Sequence, residues 1–310
     1  MNEGIFLFRF LGLDIYAYGA ILALAVLLGV IALRFSLRAA FAPHNRPSAL
    51  SLSLWMLPLA LLGARLVYCL VQVTYIAADL GWSFVWKLWY GGYSLVGALL
   101  GGALGAWLCA KRGGFDAQKL MGACVPSAAL VLALARLGEF TTDQGLGDYV
   151  ESLRFFPFAV INEYGEAFIP VFFYEALTAL VIGIWAFGKL QKKDGSNVAL
   201  LSLIWLSSSQ VLWESLREDS FLRFGFVRFN QLCAVVALLG VLLAFLARSG
   251  RSARDKALRI AGFVVGALAL VAIEFALDKS TIDTVVLYAV MTATLVLMSL
   301  LVVTSRKSKG

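Results

Sequence analysis

Long apolar runs alternate with short polar breaks along the whole chain. Crossing a bilayer as a helix takes about 20 apolar residues. Nine runs reach or approach that length: about 14–33, 50–72, 91–110, 119–137, 169–188, 198–215, 229–247, 259–277 and 283–304. They predict an all-α fold, a polytopic transmembrane helical bundle of about nine spans. The breaks are of two kinds. Those around Arg38, Lys111, Lys192 and Arg251, with the C-terminal tail, hold 17 of the 26 Lys and Arg residues and only Asp116, Asp194 and Asp255 as acids. Basic loops stay on the cytoplasmic side, so the N-terminus is expected outside and the C-terminus in the cytoplasm. The longest outer segment, about 139–168, mixes Gly145, Gly147, acids and Phe155-Phe156-Pro157 and predicts a small extracytoplasmic cap. Two domains are expected: a seven-span domain over 1–250, and two additional C-terminal spans over 251–310, whose notable polar residue is Glu274.

Composition supports a multi-pass membrane protein. The chain is 61% hydrophobic and 15% charged, where soluble domains carry about 25% charged residues. The net charge of +7 is explained by the cytoplasmic loops, so no nucleic-acid partner is expected. Arg9 and Asp14 interrupt the first twenty residues, which do not read as a cleaved signal. Cys69, Cys109, Cys124 and Cys233 lie in apolar runs as packing residues, and the sole histidine, His44, lies in a loop. No metal and no cofactor is expected.

Charges inside this pattern are few. Arg136 follows a run from Leu120 to Ala135 in which Cys124 is the one ionisable residue, and Glu139 comes three residues later. Arg217 follows the uncharged run Val198–Trp213 and Glu214. An arginine at the centre of a span costs roughly 2.5–3.5 kcal/mol, less near the interface, and is usually kept for a partner or a ligand. With Arg65 and Glu175, and with Tyr18, Tyr68 and Tyr174 nearby in sequence, these residues gather on the outer half. They form either a structural ion-pair network or a site for an anionic lipid headgroup, because guanidinium forks suit phosphate. Gly97, Gly101 and Gly105 recur every fourth residue, the spacing of close helix packing. Gly91 and Gly92 precede that helix, where backbone N–H groups can hold an anion.

The order of motifs over about residues 10–247 resembles the prolipoprotein diacylglyceryl transferase family. Ile15-Tyr16-Ala17-Tyr18-Gly19 is similar to its opening, Gly63-Ala64-Arg65-Leu66-Val67-Tyr68 to its glycine-arginine-tyrosine element, and YGGYSLVGALLGG to its glycine-rich stretch, including Ser94. Arg136-Leu137-Gly138 and Gly147 resemble its signature. Ile169-Pro170 with Tyr174-Glu175 resembles its His-Pro segment, and Glu214, Arg217 and Gln231 its late elements. The resemblance implies a membrane enzyme that moves a diacylglyceryl group from phosphatidylglycerol to the thiol of a lipobox cysteine in a prolipoprotein signal peptide. It places the protein in the bacterial inner membrane. It implies catalytic roles for Arg136, Arg217 and Glu139. Lipid-binding roles fall to Tyr18, Arg65, Gly91, Gly92, Ser94, Gly147, Tyr174, Glu175, Glu214 and Gln231.

The departures concentrate at the chemistry. Val96 and Ile169 stand where the family has histidines, Glu139 and Thr142 where its signature has asparagines, and Gln144 where it has glutamate. A cysteine thiol near pKa 8.5 is a few per cent thiolate at neutral pH without a base, so a lost histidine is survivable. Glu139 either replaces the base or pairs with Arg136 and weakens the anion site. A non-catalytic phospholipid-binding relative, and a transferase with changed donor or acceptor, are the alternatives. A transporter is disfavoured because the polar residues sit at one face rather than the midplane.

Overall fold

The computed structural model describes residues 4–10, 13–162, 164–193, 195, 197–219, 223–224 and 227–306. The expected helices form, with ends shifted by up to seven residues: α1 Ala17–Ala40, α2 Ala49–Val71, α3 Leu95–Gly113, α4 Ala117–Gly138, α5 Val171–Gln191, α6 Val198–Leu216, α7 Phe229–Arg248, α8 Ala253–Lys279 and α9 Thr284–Thr304. Local chemistry sets several starts. Ser48, Ser94, Ser252 and Asp283 each accept a backbone N–H of the following turn, which satisfies donors a helix leaves unpaired.

Eight of these helices are long and apolar enough to cross a membrane. The ninth, α6, is not among them, because Ser202, Ser207–Ser209, Gln210 and Glu214 lower its apolarity. Among the described residues, sheet is confined to three two-stranded antiparallel ribbons: β1 Phe6–Phe10 with β2 Leu13–Tyr16, β3 Val160–Ile161 with β4 Ala167–Phe168, and β5 Arg223–Phe224 with β6 Val227–Arg228. The fold is therefore all-α in class, a polytopic helical bundle. The segment expected as a cap is folded. A 3-10 turn at Glu139–Thr142 leads into loops that return through β3 and β4, and Tyr149 bridges to Phe168.

The chain divides into two compact units, one of 1–25, 131–182 and 200–310, the other of 26–130 and 183–199. In the first, Ile204 and Val211 of α6, Leu238 and Leu242 of α7, Phe263 and Leu270 of α8, and Met291 and Leu295 of α9 share one core. In the second, Leu33, Leu37, Leu52, Ala106, Ala110 and Leu120 do so. Here α2 and α3 touch backbone to backbone along the glycine ladder. A Cβ on Gly97 would collide with the Gly63 carbonyl, one on Gly101 with the Leu59 carbonyl, and one on Gly105 would sit 2.6 Å from the Trp55 carbonyl oxygen. Close packing, the reading the spacing favoured, is what these glycines do.

Candidate functional site

The first unit contains a buried ionic cluster. Arg136 occupies the last turn of α4, and the chain continues helically through Gly138 into the 3-10 turn. Glu139 therefore lands on the same face three residues on, and its Oε1 lies 2.5 Å from Arg136 Nη1. Glu175 projects from the first turns of α5. Its Oε2 contacts Arg136 Nε at 3.2 Å and Arg217 Nη1 at 2.6 Å. Arg217 follows the last residue of α6 and also approaches Glu139 Oε2 at 3.1 Å. Its other edge forms a two-bonded fork with Asp219, Nε and Nη2 each at 2.9 Å. Burial would raise the Asp219 carboxyl, but the hydrogen bonds and charge of Arg217 hold it below the ordinary range.

Glycines let the chain close around this cluster. Gly145 has φ +70° and donates its N–H to Asp219 Oδ2 at 2.9 Å, while its carbonyl accepts from Phe172 N at the start of α5. A Cβ there would lie 2.5 Å from Glu139 Oε2 and 2.7 Å from Phe172 Cβ. Gly147 donates to the Ile169 carbonyl, and Glu218 donates to that of Leu146, so the 145–147 turn is stitched to the end of α6. Glu139 Oε2 is buried and accepts no hydrogen bond among the described residues.

A polar shell extends outward. Gln210 donates to Glu175 Oε1 at 3.0 Å and Glu214 Oε2 at 3.2 Å, and Asn230 donates to Glu214 Oε1 at 3.1 Å. Tyr18, in the first turn of α1, lies in the electrostatic field of Glu139, Arg136 and Arg217. Its ring comes within 3.2 Å of where a Gly138 Cβ would be. Tyr174 turns elsewhere: its hydroxyl donates to the Pro157 carbonyl and its ring stacks on Trp213 at 5.6 Å. Beside the cluster in sequence, Leu137, Phe140, Phe155, Phe156, Phe172 and Phe173 help line an apolar cavity of about 620 Å³.

Of the residues singled out from sequence, Arg136, Glu139, Glu175 and Arg217 thus meet directly, and Glu214 joins through Gln210. Gln231 is spoken for internally. Its Nε2 donates to the Val211 carbonyl and to Glu274 Oε1, and its Oε1 accepts from Arg228 N. The second unit holds Arg65, Gly91, Gly92 and Ser94. Arg65 is buried, and its guanidinium donates to the carbonyls of Phe84, Val85, Lys87, Gly91 and Gly92 while lying 4.3 Å over the Phe84 ring. Gly91 and Gly92 have φ of +74° and +78°. They present carbonyls to Arg65, and Ser94 caps α3. This arrangement makes the arginine a post for the 84–92 loop.

Asp219, Gln210 and Asn230 escaped the sequence reading, and Gly145 entered it only as a glycine of the cap. Gln210 stands one turn before Glu214 on α6, and that i,i+4 pair was the available signal. Among the described residues no group of three or more His, Cys, Asp or Glu is arranged to hold a metal ion.

A family model described as prolipoprotein diacylglyceryl transferase matches residues 5–247. The phosphatidylglycerol–prolipoprotein diacylglyceryl transferase of Streptococcus pneumoniae serotype 4 is 30% identical over 194 residues, covering 60% of this chain and 72% of that one. The protein of the same name from Bacillus licheniformis is 28% identical over 249 residues, covering 76% and 90%. The matched segment contains the whole Arg136–Glu139–Glu175–Arg217 cluster. The chain is a multi-pass membrane protein that belongs to the prolipoprotein diacylglyceryl transferase family.

Proposed function

We propose that this protein is a phosphatidylglycerol–prolipoprotein diacylglyceryl transferase with the buried arginine pair as its phosphate site. The supporting observation is that Arg136 and Arg217, 81 residues apart in sequence, meet at one carboxylate oxygen, Oε2 of Glu175. In the reaction the lipobox thiol sulfur attacks the glycerol carbon bearing the phosphate. The S–C bond forms, the C–O bond breaks, and the oxygen leaves with its electron pair as glycerol 1-phosphate. Negative charge grows on that phosphate, and each guanidinium donor aimed at it is worth about 2.7–4 kcal/mol of barrier.

The cluster holds two guanidinium groups and three carboxylates, so the carboxylates preorganise the arginines and compete with the ligand. Every nitrogen of the Arg217 guanidinium has a carboxylate partner. Arg136 has carboxylate partners at two of its nitrogens, Glu139 at Nη1 and Glu175 at Nε. Phosphate therefore meets Arg136 first and gains Arg217 by exchange with a carboxylate. Glu139 Oε2 lies 3.1 Å from Arg217 Nη1 but accepts no hydrogen bond among the described residues, and Gly145 keeps the space beside it clear of side chain. We assign it to take the thiol proton, in place of the family's histidines. Tyr18 and Gly147 border the headgroup. Arg65, Gly91, Gly92 and Ser94 serve lipid binding by shaping the 84–92 loop rather than by touching phosphate.

We read the basic loops as cytoplasmic, which puts the N-terminus outside and the C-terminus in the cytoplasm of the bacterial inner membrane, with the cap and cluster on the outer side. This counts α6 as a ninth crossing. Its 19 residues rise about 28 Å at 1.5 Å each. Several of its polar side chains find partners inside the protein, such as Ser208 with Ser299 at 2.7 Å and Gln210 with Glu175 at 3.0 Å. Purified full-length protein incubated with phosphatidylglycerol and a lipobox peptide tests the function. The peptide should gain one diacylglyceryl group on cysteine, and a serine-substituted peptide should gain none. A wild-type protein that leaves the cysteine peptide unchanged contradicts the proposal.

A further inference from the structure

The family match ends at residue 247, and α8 and α9 lie beyond it. Between Ile260 and Leu277, Glu274 is the one ionisable residue of α8. A carboxylate in an apolar span is costly and needs a partner. It is buried, and Gln231 Nε2 donates to its Oε1 at 2.6 Å. Gln231 is itself 3% exposed, and its oxygen caps the start of α7 by accepting from Arg228 N. The neighbouring Asn230 donates to Glu214, Glu214 shares Gln210 with Glu175, and Glu175 lies between the two arginines. A second contact from the same hairpin, Tyr288 hydroxyl to the Ser215 carbonyl at 3.3 Å, reaches α6 beside Glu214.

We infer that Glu274 is a positioning residue for the arginine site. Through Gln231 it fixes the first turn of α7, and through Asn230 it sets the Glu214 carboxylate that holds Gln210 against Glu175. The C-terminal hairpin is thus a brace for the site as well as a partner in the core. The inference rests on the transferase reading of the cluster, and its test separates the two. Wild type, E274Q and E274L full-length proteins are compared in nanodiscs by transfer kinetics and by backbone hydrogen exchange. Losing a hydrogen bond to a carboxylate predicts about a tenfold fall in kcat for E274L. Its KM for phosphatidylglycerol stays within about threefold, because orientation rather than uniform binding is lost. Exchange should quicken at 214–219 and 228–231. E274Q keeps an oxygen for Gln231 and should restore both readouts. Wild-type kinetics and protection in E274L overturn the inference. So does an E274L protein that loses protection evenly along the chain, since Glu274 would then hold only the fold. A wild type inactive in transfer refutes the transferase reading instead, and the exchange comparison still decides the role of Glu274.

Discussion

Arg136 and Arg217 share Oε2 of Glu175, which lies 3.2 Å from Nε of the first and 2.6 Å from Nη1 of the second. Two like charges held this close need the carboxylate between them, and it aims both guanidinium groups at one place. Replacing Arg136 by alanine should lower the transfer rate by about 10²–10³, from the loss of one donor to the developing phosphate charge. Arg136→Lys should recover only part, because an ammonium cannot grip two oxygens in a fork. Transfer rates at saturating phosphatidylglycerol settle this. An R136A protein of wild-type rate would remove Arg136 from the chemistry.

Glu139 has one oxygen paired with Arg136 and one that lies 3.1 Å from Arg217 Nη1 and accepts no hydrogen bond among the described residues. If that second oxygen receives the thiol proton, Glu139→Gln should lower kcat by about 10²–10⁴ while keeping its shape. Phosphatidylglycerol binding should change little, since no arginine is removed. Unchanged or faster transfer by E139Q would instead make Glu139 a competitor for Arg136 and leave the thiolate to form in the arginine field alone.

Glu175 predicts a stability effect rather than a purely catalytic one. It is 5% exposed and pairs with both arginines. Removing one partner of a buried pair costs about 3–5 kcal/mol, because charge is left uncompensated. Glu175→Gln should lower the unfolding midpoint in detergent markedly. A midpoint matching wild type would mean water reaches the arginines freely.

The α2–α3 contact makes an independent prediction. Gly101 lies against the Leu59 carbonyl with no room for Cβ. Gly101→Leu must force the helices apart and should destabilise the protein by about 1–3 kcal/mol or more. Gly114, with open space around it but φ +67°, should tolerate Asn far better than Gly101 tolerates Leu. Thermal unfolding of the two variants gives the comparison directly.

Much of this was legible from sequence, for definable reasons. Arg136, Glu139, Glu175 and Arg217 stand out because charges in apolar runs are expensive, and the structure brings those four together. The positions of the helices were readable from the apolar runs because a bilayer demands that length, while the ends of α1 and α8 run six or seven residues beyond the apolar runs. Asp219 was not legible: it lies in the loop after α6, where an acid is ordinary. Gly145 was visible only as one glycine among several in the cap, and its closeness to Glu139 depends on how that loop returns to α5. Arg65 and Gln231 show the converse. Both carry the composition of ligand-binding residues, yet their donors are consumed by carbonyls of Phe84–Gly92 and by Val211 and Glu274. Those partners lie 19 to 43 positions away in sequence, beyond what local pattern reveals. The helix α6 was read as a span like the others, although its polar side chains set it apart from the eight more apolar helices.

Topology is checked by single cysteines placed in a cysteine-free background. Labels near Lys192 and Arg251 should react only from the cytoplasmic side, and a label near Asp148 only from outside. A label near Lys192 reacting from outside would reverse the assignment, and a C-terminus outside would mean that α6 does not cross.

The most direct measurement of the central claim follows phosphorus. Phosphorus NMR of full-length protein in phosphatidylglycerol vesicles with a lipobox peptide should show glycerol 1-phosphate appearing one-for-one with the thioether product. It should vanish when the peptide cysteine is serine, and fall by about 10²–10³ in rate for R136A. Headgroup release that ignores the thiol, or thioether formation unaffected by R136A, would contradict an arginine-held phosphoglycerol as the leaving group.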